Sequence, residues 1–385
     1  MIADRRVLTA VVVAVWAVTG AALVGFAGRH HGFDLTIYRG ALHSWWDGTG
    51  LYAYHHPGYG GMGFVYPPFA ALVLSPLALL PAGAALGAVT VVNLVILAGC
   101  GWWLARPLGL PGWFTVALVL PLGVALEPVR DTLGFGQVNL LLAFLVLVDG
   151  WLLVRGRRDV AGFGIGVAAA IKLTPAVFVV YLLLRREWRP AANALAAAAA
   201  ATLLAAAVDW RTSWQFWTSM LWDTSRVGRS DSTPNQSLLG LVARLYDDST
   251  PPRWPWLLAV LVVLAVGLAR AVRAEDRVAA LTVVGLTGCL VSPISWVHHL
   301  VWVGPAIVVL LRARRPVAAV ATYGLAVSSI VFWWRRAAPH HWDLGLAGMV
   351  QENAYVLLLL ALVLWLPTRS GARDPTVRGE VAGEI

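Results

Sequence analysis

The chain reads as an all-α polytopic membrane protein, and three observations predict it. Hydrophobic residues make up 59% of its 385 residues and charged residues 13%, which a soluble domain could not cover with polar surface; the mean hydropathy is +0.72. Apolar runs recur along the whole chain, each near the roughly 20 residues that cross about 30 Å of hydrocarbon. Arginines cluster at the ends of these runs in a pattern that alternates between the two sides of a bilayer. Backbone groups find no water partner in lipid, so such runs form helices. The 20 tryptophans suit the headgroup boundary, and the net charge of +9 belongs to membrane orientation rather than to nucleic acid. Cys100 and Cys289 both lie inside apolar runs, which supports neither a disulfide framework nor a cysteine metal site.

The first run, 8–27, is too long for a signal-peptide core and lacks a convincing cleavage site, so it is expected to stay as a span. Further spans are expected at 84–104, 112–127, 137–154, 190–208, 256–273, 278–293, 298–312, 316–333 and 352–367. Arg5 and Arg6, the cluster 155–158, Arg185, Arg186 and Arg189, the stretches 270–277 and 312–315, and Arg369 are assigned to the cytoplasmic side. Alternation then gathers 28–68, 128–136, 209–255, 334–351 and the turn 292–299 on the outer, periplasmic face. Two stretches resist counting. The run 160–183 lies between two cytoplasmic arginine clusters yet is short for two crossings, which fits two short helices broken at Lys172-Leu173-Thr174-Pro175. Either 67–81 dips without crossing or a neighbouring segment does. About ten to twelve spans result, with both ends cytoplasmic: one transmembrane domain over 1–367 and a short cytoplasmic tail over 368–385. The alanine-rich run 191–207 marks close helix packing.

Chemistry is sought where polarity interrupts so greasy a chain. The stretch 29–69 holds two aspartates, five histidines, a glycine-rich patch and the turn Tyr66-Pro67-Pro68. Apolar residues at 35, 38, 42, 45 and 46 predict a short helix lying on the membrane, which makes Asp34 a natural N-cap. A carboxylate held at that boundary is equally suited to take a proton from an attacking hydroxyl. Pro67 and Pro68 fix the backbone where 64–68 would re-enter the membrane, or simply make a helix-entry turn. Charges at 127–131 and the amides Gln137 and Asn139 sit at the mouth of a span, where amides cap a helix or hydrogen-bond a sugar or phosphate. Lys172 is an ammonium at membrane depth; it either snorkels to an interface or faces an anion such as a lipid phosphate. His298 and His299 adjoin one another, and on a helix they diverge by about 100°, so one of them is expected to face a given site. No spaced partner accompanies them, so a metal site is not expected. Arg226, Arg229 and Asn235 read as parts of a solvated loop. Asp47, Asp231 and Glu127 stand as alternative carboxylates.

Taken in order, Phe33-Asp34 with Tyr38 and Gly40, Tyr66-Pro67-Pro68, Gly136-Gln137-Val138-Asn139, Lys172-Leu173-Thr174-Pro175 and Ser292-Pro293 through His298-His299 resemble glycosyltransferase family 87 of the GT-C superfamily. The resemblance spans about 30–312. It implies the GT-C fold and inverting transfer of mannose from polyprenyl-phosphate-mannose to a phosphatidylinositol mannoside, lipomannan or lipoarabinomannan. It also implies that Asp34 is the catalytic base. Lys172, His298, His299 and Arg130 are then the candidates to meet the donor phosphate, with Gln137, Asn139 and Tyr66 as further substrate contacts. The partners implied are a polyprenyl-phosphate sugar, a glycolipid or lipoglycan acceptor and membrane lipids, with no nucleic acid. No phosphate-binding glycine loop with its lysine and no paired-aspartate motif is found, so neither metal nor other cofactor is expected. Two other readings stay open: an arabinofuranosyltransferase using decaprenyl-phosphate arabinose, and a transporter, although the latter should show broken helices in repeated halves.

Overall fold

The computed structural model describes residues 4–26, 30–57, 61–223, 228–334 and 340–369. Arg226 and the tail from residue 370 lie outside the described residues. Within these the chain is helical, with one isolated bridge between Asn235 and Trp296 and no longer strand.

Helix α1 (Arg5–Val24) starts at Asp4, whose carboxylate accepts the Arg6 N–H at 2.9 Å. It is followed by α2 (Phe33–Trp46) and α3 (Pro68–Ala78). The expected short helix is present as α2. Leu35, Tyr38 and Leu42 are buried with Tyr52, Phe64 and Tyr66, because the aromatic residues that follow fold back over the helix, while Trp45 is half-buried and Trp46 exposed at its end. Pro68 opens α3, as the double proline predicted. With 11 residues, α3 measures about 16 Å, roughly half the hydrocarbon thickness, so as a helix it is too short to cross.

Next come α4 (Ala82–Ala105), α5 (Gly112–Ala125), α6 (Glu127–Phe135) and α7 (Asn139–Val154). The axes of α5 and α6 differ by 77°, and the segment expected as an outer loop is itself helical. The pair α8 (Phe163–Ile171) and α9 (Ala176–Leu184) breaks where the sequence indicated, at 172–175. Buried Asp149 of α7 accepts the Ile165 N–H at 2.7 Å, satisfying one of the orphan donors in the first turn of α8. Helix α10 (Trp188–Val208) carries the alanines, and Gly166 of α8 approaches it so closely that a Cβ there would stand 2.2 Å from the Ala194 carbonyl oxygen.

The remaining elements are α11 (Trp210–Thr218), α12 (Leu238–Tyr246), α13 (Arg253–Arg273), α14 (Arg277–Val291), α15 (Val303–Arg312), α16 (Pro316–Val327), α17 (Gly345–Glu352) and α18 (Ala354–Trp365). Helix α14 is the centre of the larger core, buried at every position from Val278 to Leu290. Among the described residues four helices are long and apolar enough to cross a membrane, or up to six if each of two bent pairs counts as one span; five shorter apolar helices of 10–17 residues accompany them. The protein is a multi-pass membrane protein built from helices of unequal length.

The arginine clusters meet at one end of this bundle. Arg158 and Arg277 share Glu187 at 2.8 and 2.9 Å, and Arg312 reaches Asp276 at 2.8 Å. Arg185 donates to the Val272 and Ala274 carbonyls at 2.6 and 3.2 Å. The stretches 155–158, 185–189, 270–277 and 312–315 are therefore physically linked.

Candidate active site

A cavity of about 1010 Å³ is lined by residues from 30–38, 62–67, 127–137, 172–174 and 292–299, closed on one side by Phe216, Met220, Ser232 and Pro234. With the exception of 172–174, these segments are the ones that arginine counting placed on a common face. Asp34, Tyr66, Arg130, Gln137, Lys172, His298 and His299 all line it.

Asp34 sits in the first turn of α2 but does not cap it. The N-cap is Gly32, in the left-handed region at φ 69°, and it makes no side-chain cap bond. Helical geometry begins two residues earlier than the sequence suggested, at Phe33, which removes Asp34 from the non-helical position a cap requires. Its carboxylate instead accepts Gln137 Nε2–H at 2.8 Å. Gln137 is presented by Gly136, which ends α6 at φ 72° and whose Cβ, were there one, would stand 2.8 Å from Leu35 Cβ. Burial pushes the Asp34 carboxyl up to about 6, against the opposing effects of the Gln137 bond and the charges of Lys172 and His30.

A polar chain runs on from Asp34 to Lys172. Tyr66 Oη donates to Gln137 Oε1 at 3.2 Å and accepts from Tyr38 Oη at 3.0 Å. Lys172 Nζ donates to Tyr66 Oη at 3.4 Å and to Asn139 Oδ1 at 3.2 Å. Lys172 ends α8 in an extended conformation, so the broken pair turns its ammonium inward rather than letting it snorkel. Asn139 does not line the main cavity; it lines a small void beneath, holds Lys172 from that side and donates to the His298 carbonyl at 2.9 Å.

The histidines contradict the expectation that one of the two faces the site. They lie in a short 3₁₀ turn, 297–299, before α15 begins at Val303, and both rings line the cavity. His299 Nε2 stands 3.0 Å from Lys172 Nζ, while His298 Nε2 stands 3.9 Å from Asp34 Oδ2 and makes no hydrogen bond. Burial, reinforced by the Lys172 charge, holds both imidazoles well below their usual range and so neutral.

Arg130 is not part of this chain. It donates to the Ala125 carbonyl at 3.0 Å and Ser329 Oγ at 2.7 Å and lies over the Phe26 ring at 3.9 Å. Its neighbours are Glu127, which accepts from Tyr355 Oη at 2.7 Å, and Asp131, which faces His30 Nε2 at 3.5 Å. His30, stacked on Phe135 with centroids 3.9 Å apart, was not singled out by the sequence, and Asp131 entered only among the charges at 127–131; their proximity is a long-range contact with no local signal. Asp47 is exposed and outside the cavity lining, and Asp231 is buried but paired with Arg229 at 2.6 Å. Asn235, fully buried, accepts the Ser295 N–H at 2.9 Å and ties the long segment to the histidine turn rather than belonging to a solvated loop. Arg244, also fully buried, bonds Asn353 Oδ1 at 2.7 Å and the Ser232 carbonyl at 3.0 Å, fixing the wall that Ser232 contributes.

Among the described residues no group of three or more His, Cys, Asp or Glu side chains is arranged to hold a metal ion. Both cysteines are free.

An all-helical, multi-pass fold with a large cavity joining a half-buried carboxylate to a half-buried ammonium describes a membrane enzyme. The model of glycosyltransferase family 87 matches residues 64–293, and the chain belongs to that family; it is a glycosyltransferase. It is 36% identical over 395 aligned residues to a polyprenol-phosphate-mannose-dependent α-(1-2)-phosphatidylinositol mannoside mannosyltransferase of Mycobacterium tuberculosis, covering 94% of this chain and 90% of the relative. The protein of the same name from Mycolicibacterium smegmatis is 35% identical, over 89% of this chain and 85% of the relative. A phosphatidylinositol pentamannoside mannosyltransferase of Mycobacterium tuberculosis is 34% identical, over 79% and 73%. No solved structure gives a significant match.

Proposed function

We propose that the chain transfers mannose from polyprenyl-phosphate-mannose to a phosphatidylinositol mannoside or a related lipoglycan, with inversion at the anomeric carbon. The relatives' names support the donor and acceptor. The observation that carries the mechanism is the chain Asp34–Gln137–Tyr66–Lys172, which puts a base and a cation on one cavity wall. Asp34 takes the proton of the acceptor hydroxyl as its oxygen attacks C1. The C1–O bond to phosphate breaks in the same displacement, and polyprenyl phosphate leaves. A carboxyl near 6 is ionised at neutral pH yet more basic than an ordinary carboxylate, which suits a general base. Lys172, with Tyr66 beside it, meets the charge that builds on the leaving phosphate. Gln137 holds Asp34 and Asn139 holds Lys172, both as positioning residues.

The reading assigns no metal, because the Lys172 ammonium supplies the positive charge. Chelation should leave the rate unchanged, and a rate restored only by a divalent ion would overturn that clause. It also puts the cavity at the periplasmic face, with both chain ends cytoplasmic, residues 1–367 as one transmembrane unit and 368–385 as a tail. Asp343→Cys, at an exposed position, should then label from the periplasmic side; labelling only after permeabilisation would reverse the orientation. For the activity, purified protein is offered polyprenyl-phosphate-mannose or decaprenyl-phosphate arabinose with phosphatidylinositol mannosides. Mannose transfer is expected; turnover of neither donor would overturn the reading, and arabinose transfer alone would change the sugar.

A further inference from the structure

Two arms of opposite character leave Asp34. One ends in Lys172 and two neutral imidazoles. The other lies along α6, where Glu127 and Asp131, one helical turn apart, both face the cavity with Arg130 and His30. Burial and the neighbouring Asp131 push the Glu127 carboxyl up to about 7, and the Arg130 guanidinium offsets the Asp131 charge, so this arm is close to neutral while the other carries an ammonium; a phosphate is drawn to the ammonium and leaves the α6 arm to a neutral ligand.

The α6 arm is also unsatisfied. Asp131 is 8% exposed and accepts no hydrogen bond from any described residue: His30 Nε2 is 3.5 Å away and Arg130 Nε 3.9 Å. The Arg130 side chain is 10% exposed and its Nε makes no hydrogen bond, although the rest of the guanidinium is held by the Ala125 carbonyl and Ser329. A ligand that complements this arm must both donate to a carboxylate and accept from an N–H while carrying no negative charge. Hydroxyl groups do both. Phe26, beneath the Arg130 guanidinium, Phe135, beneath the His30 ring, and Phe332 border the same part of the cavity and add apolar surface to it.

We infer that Glu127, Arg130 and Asp131 form the acceptor's sugar subsite, holding a neutral hydroxyl-bearing ring beside the hydroxyl that Asp34 deprotonates. The inference rests on the transferase reading and moves Arg130 from the donor phosphate to the acceptor. Asp131 accepts from ring hydroxyls and Arg130 Nε donates to one of their oxygens. Glu127, already engaged by Tyr355, closes the end of the subsite.

The test varies donor and acceptor separately for the purified full chain. Asp131→Asn should raise the KM for phosphatidylinositol mannoside roughly tenfold or more, as expected for a lost bond to a charged group, and leave the KM for polyprenyl-phosphate-mannose within about twofold. An unchanged acceptor KM, or equal rises in both, overturns the assignment. A second measurement needs no variant: carbodiimide modification of Asp131 in the wild-type chain, read by mass spectrometry, should be blocked by a soluble α-linked dimannoside and not by polyprenyl phosphate. The reverse pattern, or protection by neither, overturns it as well. Failure of the wild type to transfer any sugar would instead strike the transferase reading, and the protection pattern would still report on the arm.

Discussion

At the arginine end, Glu187 takes Arg158 and Arg277 at 2.8 and 2.9 Å and Asp276 takes Arg312 at 2.8 Å. At the cavity end, Asp34 faces His298 at 3.9 Å, while Asp131 faces His30 at 3.5 Å and Arg130 at 3.9 Å. Both ends are rich in charge, but the first spends its charges on one another and the second leaves them short of partners. Full pairing there stabilises the bundle. Incomplete pairing at the cavity leaves His298 Nε2 and Arg130 Nε buried without a bond, a cost of about 1–3 kcal/mol each that a site recovers only when a ligand supplies the partner. Charge density alone would not have separated structure from chemistry in this chain; the saturation of each charge does.

That contrast can be broken from either side. The largest effect is expected at Lys172: Lys172→Met should lower the transfer rate by about 10²–10³-fold while the protein stays folded, and a loss smaller than a few-fold would mean that the leaving phosphate is met elsewhere. At the other end, Glu187→Gln should cost about 1–3 kcal/mol of stability, read as a lower unfolding temperature in detergent, because it leaves Arg158 and Arg277 without their shared anion. Its KM values should not move; if they do, the two ends are coupled and the division fails. The subtlest expectation is a pH profile. The proposed base role requires Asp34 to be ionised, so kcat/KM should rise with pH, about tenfold per unit, until it levels above about 6. A limb near the ordinary carboxylate value of about 4 would show that burial does not govern the base.

Much of this division was legible in the sequence because arginines at span ends report the side of the bilayer. Counting them brought Asp34, Arg130, His298 and His299 to one cavity and Arg158, Arg277 and Arg312 to the other end. Lys172 was legible from its Thr174-Pro175 neighbours, since a helix break is where an ammonium at membrane depth can turn inward. What was hidden depends on contacts between distant segments or on where a helix begins to within two residues. The cap position of Asp34 shifted when Gly32 took the left-handed turn. The two histidines both reach the cavity because 297–299 is a 3₁₀ turn rather than the start of α15. The 77° angle between α5 and α6, which sets the line of the helix that carries Arg130, has no local signal in the sequence.

The central claim is that Asp34 is a base and not a structural carboxylate, and Asp34→Asn tests it most directly. The asparagine keeps the shape and can still accept from Gln137 Nε2–H, so polyprenyl phosphate and phosphatidylinositol mannoside should bind with nearly unchanged affinity. Transfer should fall by about 10²–10⁴-fold. Full turnover by Asp34→Asn would contradict the account, and so would a loss of turnover matched by an equal loss of substrate binding.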